Sequence, residues 1–378
     1  MKTNTYYIHL IILFILIIIL LVLTALFNYF YDGGNEFFQS RNLEKKISTA
    51  LINNKKILVC SNYNDRSVQK ELIKHIKHSP QVLTLGSSRT LPVTKELFHG
   101  MTFYNASVTG GTLQDDISLY YVFQRNGLQP KVIVISIDPW LLDRNSGEIK
   151  WRTSFFNEFR KGEKLIKHDK TWSYQDKFLG IFEKYSQLVS SGYFIASLKN
   201  FSLVRKLSLT NLPPNKIIIG PEMDIKNYPN CSLLLPEGGR LNSIAEESVT
   251  AATADYLGKK KIIETSHDMT INANDADLFE TFITFLKARH INIIFYFPPY
   301  EPAAYHTILK DENYRTVYHI ENHFLNLAKK YNIKVIGNYN PNKLSLHSND
   351  FIDYIHIKKR ALDKIFLLGL SDYPYTQT

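Results

Sequence analysis

The chain of 378 residues has only two cysteines, Cys60 and Cys231. They stand far apart and form no C-x-x-C, so neither a metal site nor a thioredoxin-like motif is suggested. In an oxidising compartment they would be able to pair, but two cysteines in a chain this long are more often buried thiols. Charge is also sparse. Asp, Glu, Lys and Arg make up 21% of the chain against 44% hydrophobic residues, a balance that argues against wholesale disorder. The imbalance that remains is basic, a formal +10. Such a surface suits anionic lipid or acidic polymers as well as nucleic acid. No zinc-finger spacing and no RNP-like aromatic motif accompanies it, so no nucleic-acid partner is implied.

One long apolar run is present. Residues 6–27 read YYIHLIILFILIIILLVLTALF, with no formal charge and His9 as the only strongly polar side chain. The run is long enough to cross a bilayer as a helix. A signal peptide would have a shorter apolar stretch and an A-x-A-like site, whereas Ala25 here follows Leu23 at two positions. Residues 1–30 are therefore expected to be an uncleaved transmembrane anchor. Lys2 precedes the span, Asp32 and Glu36 follow it, and Arg41, Lys45 and Lys46 come later. The positive-inside rule then puts the N-terminus in the cytoplasm and the rest outside, as a single-pass protein of the cell membrane.

Residues 31–80 are expected to form a stalk leading into the domain, with surface helices at NLEKKISTALINN and SVQKELIKHIKH. His75 and His78 stand at helical i, i+3 spacing. Without a third ligand nearby, a basic helix face is favoured over a metal site.

After Pro80 the pattern alternates. QVLTLG, MTFYNAS and KVIVISI read as strands, the last continuous in Val and Ile as a parallel core strand should be. Between the second and third, TLQDDISLYYVFQRNG places Leu113, Ile117, Tyr120 and Tyr121 on one helical face, with Gly127 as the stop. Residues 143–274 hold Trp151, Trp172 and Pro213-Pro214 and read as an insertion of helices and loops. The alternation returns with a helix carrying Leu278, Phe279, Phe282, Phe285 and Leu286, then the strand INIIFYF. A helix with Val317, Ile320, Phe324, Leu327 and Tyr331 in register follows, then the strand IKVIG and a last helix, KKRALDKIFLLGL. Strands alternating with helices of this length predict a parallel sheet covered on both faces, spanning residues 81–378. Sites in such sheets lie at the carboxyl ends of the strands, where Ser88, Gly110 and Asp138 fall.

Three segments carry chemistry. Gly86-Ser87-Ser88-Arg89 ends the first strand, which puts a serine hydroxyl at the sheet edge and its N–H within reach of an oxyanion. Taken alone it is more often an ordinary turn. Asn105-Ala106-Ser107-Val108-Thr109-Gly110-Gly111-Thr112 ends the second strand, and Gly110 permits close backbone approach there. Asn105-Ala106-Ser107 also fits a glycosylation sequon, expected to be accidental at a buried strand end. Asp353-Tyr354-Ile355-His356 brings a carboxylate and an imidazole into one crevice from a single turn. The His can take a serine proton while the Asp holds its tautomer.

In order and topology these segments resemble the SGNH/GDSL hydrolase superfamily over residues 80–370, outside the insertion. The resemblance implies a three-layer α/β/α, flavodoxin-like parallel sheet. It implies Ser88 as nucleophile, His356 as base and Asp353 as its orienting acid, with the N–H groups of Ser88 and Gly110 as the oxyanion hole. Arg89 and Asn105 are expected to bind substrate, with a structural salt bridge as the alternative for Arg89. No metal and no cofactor is expected. The family's G-x-N-D block departs here: Ser136-Ile137-Asp138-Pro139-Trp140 has no matching Asn. The N-terminal span and Pro298-Pro299-Tyr300 make the chain similar to an extracytoplasmic branch used in alginate O-acetylation and lipoteichoic-acid D-alanylation. That likeness implies an acylated glycan or other ester as substrate, and a membrane-bound O-acyltransferase as partner. The expected activity is a serine esterase or O-acyltransferase; the alternative is a catalytically weak or inactive accessory protein.

Overall fold

A computed structural model describes residues 2–32, 37, 40–60, 63–143, 150–167, 181–182, 185–195, 197–198, 201, 217–219, 225–265 and 270–373. Trp172 and Pro213-Pro214 lie outside them.

The chain opens with α1 (Lys2–Tyr31), whose apolar residues Tyr6–Tyr31 are long and apolar enough to cross a membrane. At a rise of about 1.5 Å per residue this stretch extends roughly 39 Å, more than the ~30 Å hydrocarbon core of a bilayer. Its large apolar side chains from Tyr6 to Leu23 are exposed, as lipid-facing residues would be.

The helices used below are α2 (Ser40–Ile52), α3 (Asp65–Lys74), α4 (Leu113–Arg125), α5 (Phe156–Ile166), α6 (Ala251–Thr265), α7 (Ala273–Ala288), α8 (Pro302–Lys310), α9 (Arg315–Lys330) and α10 (Lys359–Gly369). The strands are β1 (Ile57–Val59), β2 (Val82–Leu85), β3 (Phe103–Asn105), β4 (Val132–Ser136), β5 (Ile217–Ile219), β6 (Ser232–Leu234), β7 (Arg240–Leu241), β8 (Asn292–Phe297) and β9 (Lys334–Gly337).

Five strands form one parallel sheet in the order β3-β2-β4-β8-β9. The alternation of side chains along each strand sorts two cores. Val82, Val132, Val134, Ile294 and Ile336 pack with Leu362, Ile365 and Phe366 of α10. Leu83, Leu85, Ile133, Ile135 and Phe295 pack on the other face with residues of α4, α7 and α9. A strand buried on both faces has no polar positions to spare, which explains the unbroken Val-Ile run of β4. The helix after β3 starts on a capping box, in which Thr112 accepts from the Asp115 N–H and Asp115 accepts from the Thr112 N–H. It ends where Gly127 N–H reaches the Gln124 carbonyl and Leu128 N–H the Phe123 carbonyl, a Schellman close. From β2 the chain passes outward to β3 and then back across to β4. The switch point therefore lies between β2 and β4, and a crevice opens at their carboxyl ends.

Two expectations are corrected. Residues 31–80 are more than a stalk. Ile47 and Leu51 of α2, Ile57 of β1, and Val68, Leu72 and Ile73 of α3 are buried in the main core. Their polar faces read as surface helices, but their apolar faces are packed against the body. The insertion, in turn, contains strands. β5, β6 and β7 join β1 in an antiparallel sheet ordered β5-β1-β6-β7. At its end Cys60 and Cys231 form a disulfide with Cα atoms 4.3 Å apart, so the thiols are not free. His75 caps the end of α3, its Nδ1 2.9 Å from the Glu71 carbonyl, and His78 lies beyond the helix. The two histidines therefore share no helical face.

Candidate active site

Gly86 follows β2 with φ +150°, a conformation side chains rarely adopt, and a Cβ there would meet Ser136 Cβ at 2.4 Å. The turn that follows is closed by the Thr90 N–H donating to the Ser87 carbonyl. Such a closure uses only its first carbonyl and its last amide. Ser88 is the second residue of the turn, so its N–H and hydroxyl are left over for the crevice, and the residue is part-exposed.

Ser88 Oγ lies 2.8 Å from His356 Nε2. His356 Nδ1 lies 2.9 Å and 3.0 Å from the two carboxylate oxygens of Asp353. With Nδ1–H donating to Asp353, Nε2 carries a lone pair and accepts from the serine hydroxyl. The imidazole is 30% exposed and the carboxylate 18%, so the group is reachable from solvent. Burial pushes the Asp353 carboxyl up, but the charge and hydrogen bond of His356 and the N–H groups of Ile355 and His356 outweigh it. They hold the carboxyl at about 2.

The loop that presents this pair is fixed at both ends. Phe351 and Ile357, both buried, bridge to each other. Asp353 Oδ1 accepts from the Ile355 and His356 N–H groups, which folds the turn around its own carboxylate. Glu301 N–H donates to the Tyr354 carbonyl, and Arg89 Nε–H to the Ile355 carbonyl.

The Gly110 loop is held from below. The Arg66 guanidinium donates to the Thr109 and Gly110 carbonyls and grips Asp115 through Nε and Nη2 at 2.8 and 2.7 Å. Asp65 accepts from the Thr109 N–H, and Trp140 Nε1–H donates to the Gly111 carbonyl. A Cβ on Gly111 would stand 2.3 Å from the Gly86 carbonyl oxygen, so only glycine lets this loop touch the Ser88 turn. Among the described residues the N–H groups of Ser88 and Gly110 have no acceptor. Those two groups are available to a developing oxyanion.

Arg89 and Asn105 do not face substrate space. Arg89 is 3% exposed and donates to Asp138, Pro298, Pro299 and Ile355, with its plane near the Tyr300 ring. The salt-bridge alternative describes it. Asn105 is fully buried. Its amide nitrogen donates to the Thr90, Leu91 and Val93 carbonyls and its oxygen accepts from Ser107 N–H, which also rules out a sequon role. Asp138 accepts from Arg89 and Ser136. Arg66, Asp65 and Asp115 are the site residues that sequence reading missed. The buried fork joins positions 66 and 115, and no local motif announces it.

Among the described residues no group of three or more His, Cys, Asp or Glu is placed to hold a metal ion. A cavity of about 380 Å³ between α8 and α9, lined by Tyr305, Arg315, Glu321 and Tyr339, includes none of the Ser88–His356–Asp353 group. No protein-family model and no curated protein matches the chain, so the functional reading rests on the geometry itself.

Proposed function

We propose that this chain is a membrane-anchored serine esterase or O-acyltransferase of SGNH type, acting on acyl esters of a cell-surface glycan. The observation that carries the reading is the continuous hydrogen-bond line from Ser88 Oγ through His356 to Asp353. Ser88 Oγ attacks the ester carbonyl while its proton passes to His356 Nε2. Asp353 stabilises the imidazolium that forms. The N–H groups of Ser88 and Gly110 receive the tetrahedral oxyanion. Collapse expels the alcohol, which takes the proton back from His356, and leaves an acyl ester on Ser88. Water or a sugar hydroxyl then attacks that ester with His356 again as base, and Ser88 is restored. Support for an extracytoplasmic body comes from the Cys60–Cys231 disulfide, which persists in oxidising compartments.

A fluorophosphonate probe tests the nucleophile. The wild type should be labelled and Ser88→Ala should not; equal labelling of both would remove Ser88 from the mechanism.

A second reading has its own observation. Asp138 stands where the family block has its Asn-Asp pair, and its carboxylate is committed to Arg89 and Ser136. A side-chain oxyanion donor is missing from that block, and losing one can cost about 10²–10³ in rate. The chain would then serve as an accessory partner of a membrane-bound O-acyltransferase. Normal polymer acylation in cells carrying both Ser88→Ala and His356→Ala would favour this reading over the enzyme.

A further inference from the structure

We infer that the described residues between 181 and 201 form a collar that docks into the interfacial layer of a lipid bilayer, around the exit of α1. The inference depends on α1 entering a membrane and is independent of the chemistry at Ser88.

The first observation is polar. Asn28 and Asp32, at the end of an otherwise exposed apolar helix, are both 0% exposed. Their cover is the collar. Asn28 Nδ2–H donates to the Leu188 carbonyl at 2.8 Å, and the Tyr193 hydroxyl donates to Asp32 at 2.6 Å. Asp32 also accepts from the Phe37 N–H, which turns the chain out of the helix.

The second observation is the ring contacts. Phe27 packs against Phe194 with centroids 5.3 Å apart and against Phe201 at 6.1 Å, and Tyr31 meets Phe201 at 5.0 Å. Counting from Tyr6, about 20 helical residues cover the ~30 Å hydrocarbon core. Phe27 and Tyr31 therefore lie in the interfacial layer, and so do the rings that touch them. Aromatic side chains favour this depth, where apolar rings and polar edges are both satisfied.

The third observation is the outer face. Phe182 is 61% exposed, Tyr185 56%, Ile195 54% and Leu198 42%. This apolar surface reaches α1 through Phe37, whose ring lies 5.9 Å from that of Tyr185 and 6.0 Å from that of the exposed Tyr29. A patch of that kind marks an interaction surface. Its continuity with a membrane-spanning helix makes lipid the occupant, as for interfacial amphipathic segments.

Single-cysteine spin labelling of the full chain in liposomes tests this, because Cys60 and Cys231 are bonded to each other and do not compete for the label. Labels go on Phe182→Cys and Ile195→Cys, with Leu20→Cys as the bilayer reference and Leu309→Cys as the aqueous reference. Collision with oxygen and with a water-soluble nickel chelate is then compared. The expected result is an oxygen-to-nickel accessibility ratio at 182 and 195 well above that at 309 and below that at 20. Ratios at 182 and 195 equal to that at 309, with 20 in lipid, would overturn the collar while leaving the anchor. A nickel-accessible label at 20 would overturn both. Labels at 182 and 195 shielded from both reagents would put a protein subunit on the patch and overturn the lipid assignment.

Discussion

Arg89 donates its Nε–H to the carbonyl of Ile355 at 3.1 Å. The residue that follows Ser88 thus grips the residue that precedes His356. Its Nη1 pairs with Asp138, and its Nη2 with the Pro298 and Pro299 carbonyls. One buried fork therefore ties together the ends of β2, β4 and β8 and the loop that carries the imidazole. Lysine cannot reproduce this, because an ammonium lacks the planar, multi-donor geometry.

Arg89→Lys is expected to lower kcat by one to two orders of magnitude with little change in KM, since the fork sets position without touching substrate. Stability should also fall. Arg89→Met leaves Asp138 buried and unpaired, a change worth about 3–5 kcal/mol. Arg89→Met combined with Asp138→Leu should recover much of that loss without recovering kcat. Thermal unfolding and steady-state kinetics on an aryl ester check both halves.

Asp353→Asn should cut kcat by about 10³–10⁴-fold, because the imidazole loses its orienting acceptor and the correct tautomer. It should also change the acid limb of stability. The Asp353 carboxyl is held at about 2, below its ordinary value. A depressed carboxylate contributes stability that is present above the ordinary value and is lost as pH falls through the folded one. The unfolding temperature of the wild type should exceed that of Asp353→Asn most clearly above pH 4, and the gap should close toward pH 2. A pH series of melting curves on both proteins reads it.

Asp116 behaves in the opposite sense. It is buried on α4 with neither carboxyl oxygen paired among the described residues. Burial, followed by the charges of Asp115 and Asp138, holds its carboxyl well above the usual range. A raised carboxyl favours folding below its ordinary value, and that contribution is lost as pH rises through the folded value. Asp116→Leu should therefore stabilise the protein at neutral and alkaline pH, by about 1–3 kcal/mol, and the gain should shrink as pH falls. An unchanged melting temperature at pH 8 would contradict this.

Cys60 and Cys231 are 171 residues apart in sequence. Loop-closure entropy alone gives about 5 kcal/mol for a link of that span, an upper figure for a real protein. Replacing both by serine should lower the unfolding temperature markedly while leaving fluorophosphonate labelling of Ser88 intact at low temperature.

The residues that were legible in the sequence are those whose neighbours are local. The five parallel strands follow from short Val-, Ile- and Phe-rich runs between helical patterns, and Asp353 reaches His356 within one turn. What was not legible is set by distant pairs. Asn105 has the side chain of a binding residue, yet it spends its amide on three carbonyls of the 90–93 segment. Arg66 sits in an ordinary charged helix, and only the fold brings it beneath Gly110. The 57–59 run falls inside the segment read as a stalk, and its pairing with β5 and β6 is fixed by residues well over a hundred positions away.

The Cys60–Cys231 bond also alters what proteolysis can do. A single cut at any peptide bond between those two positions separates α1 from the piece bearing Asp353 and His356, but the pieces stay covalently joined through sulfur. Release of the body from α1 by such a nick would require a reductant as well as a protease.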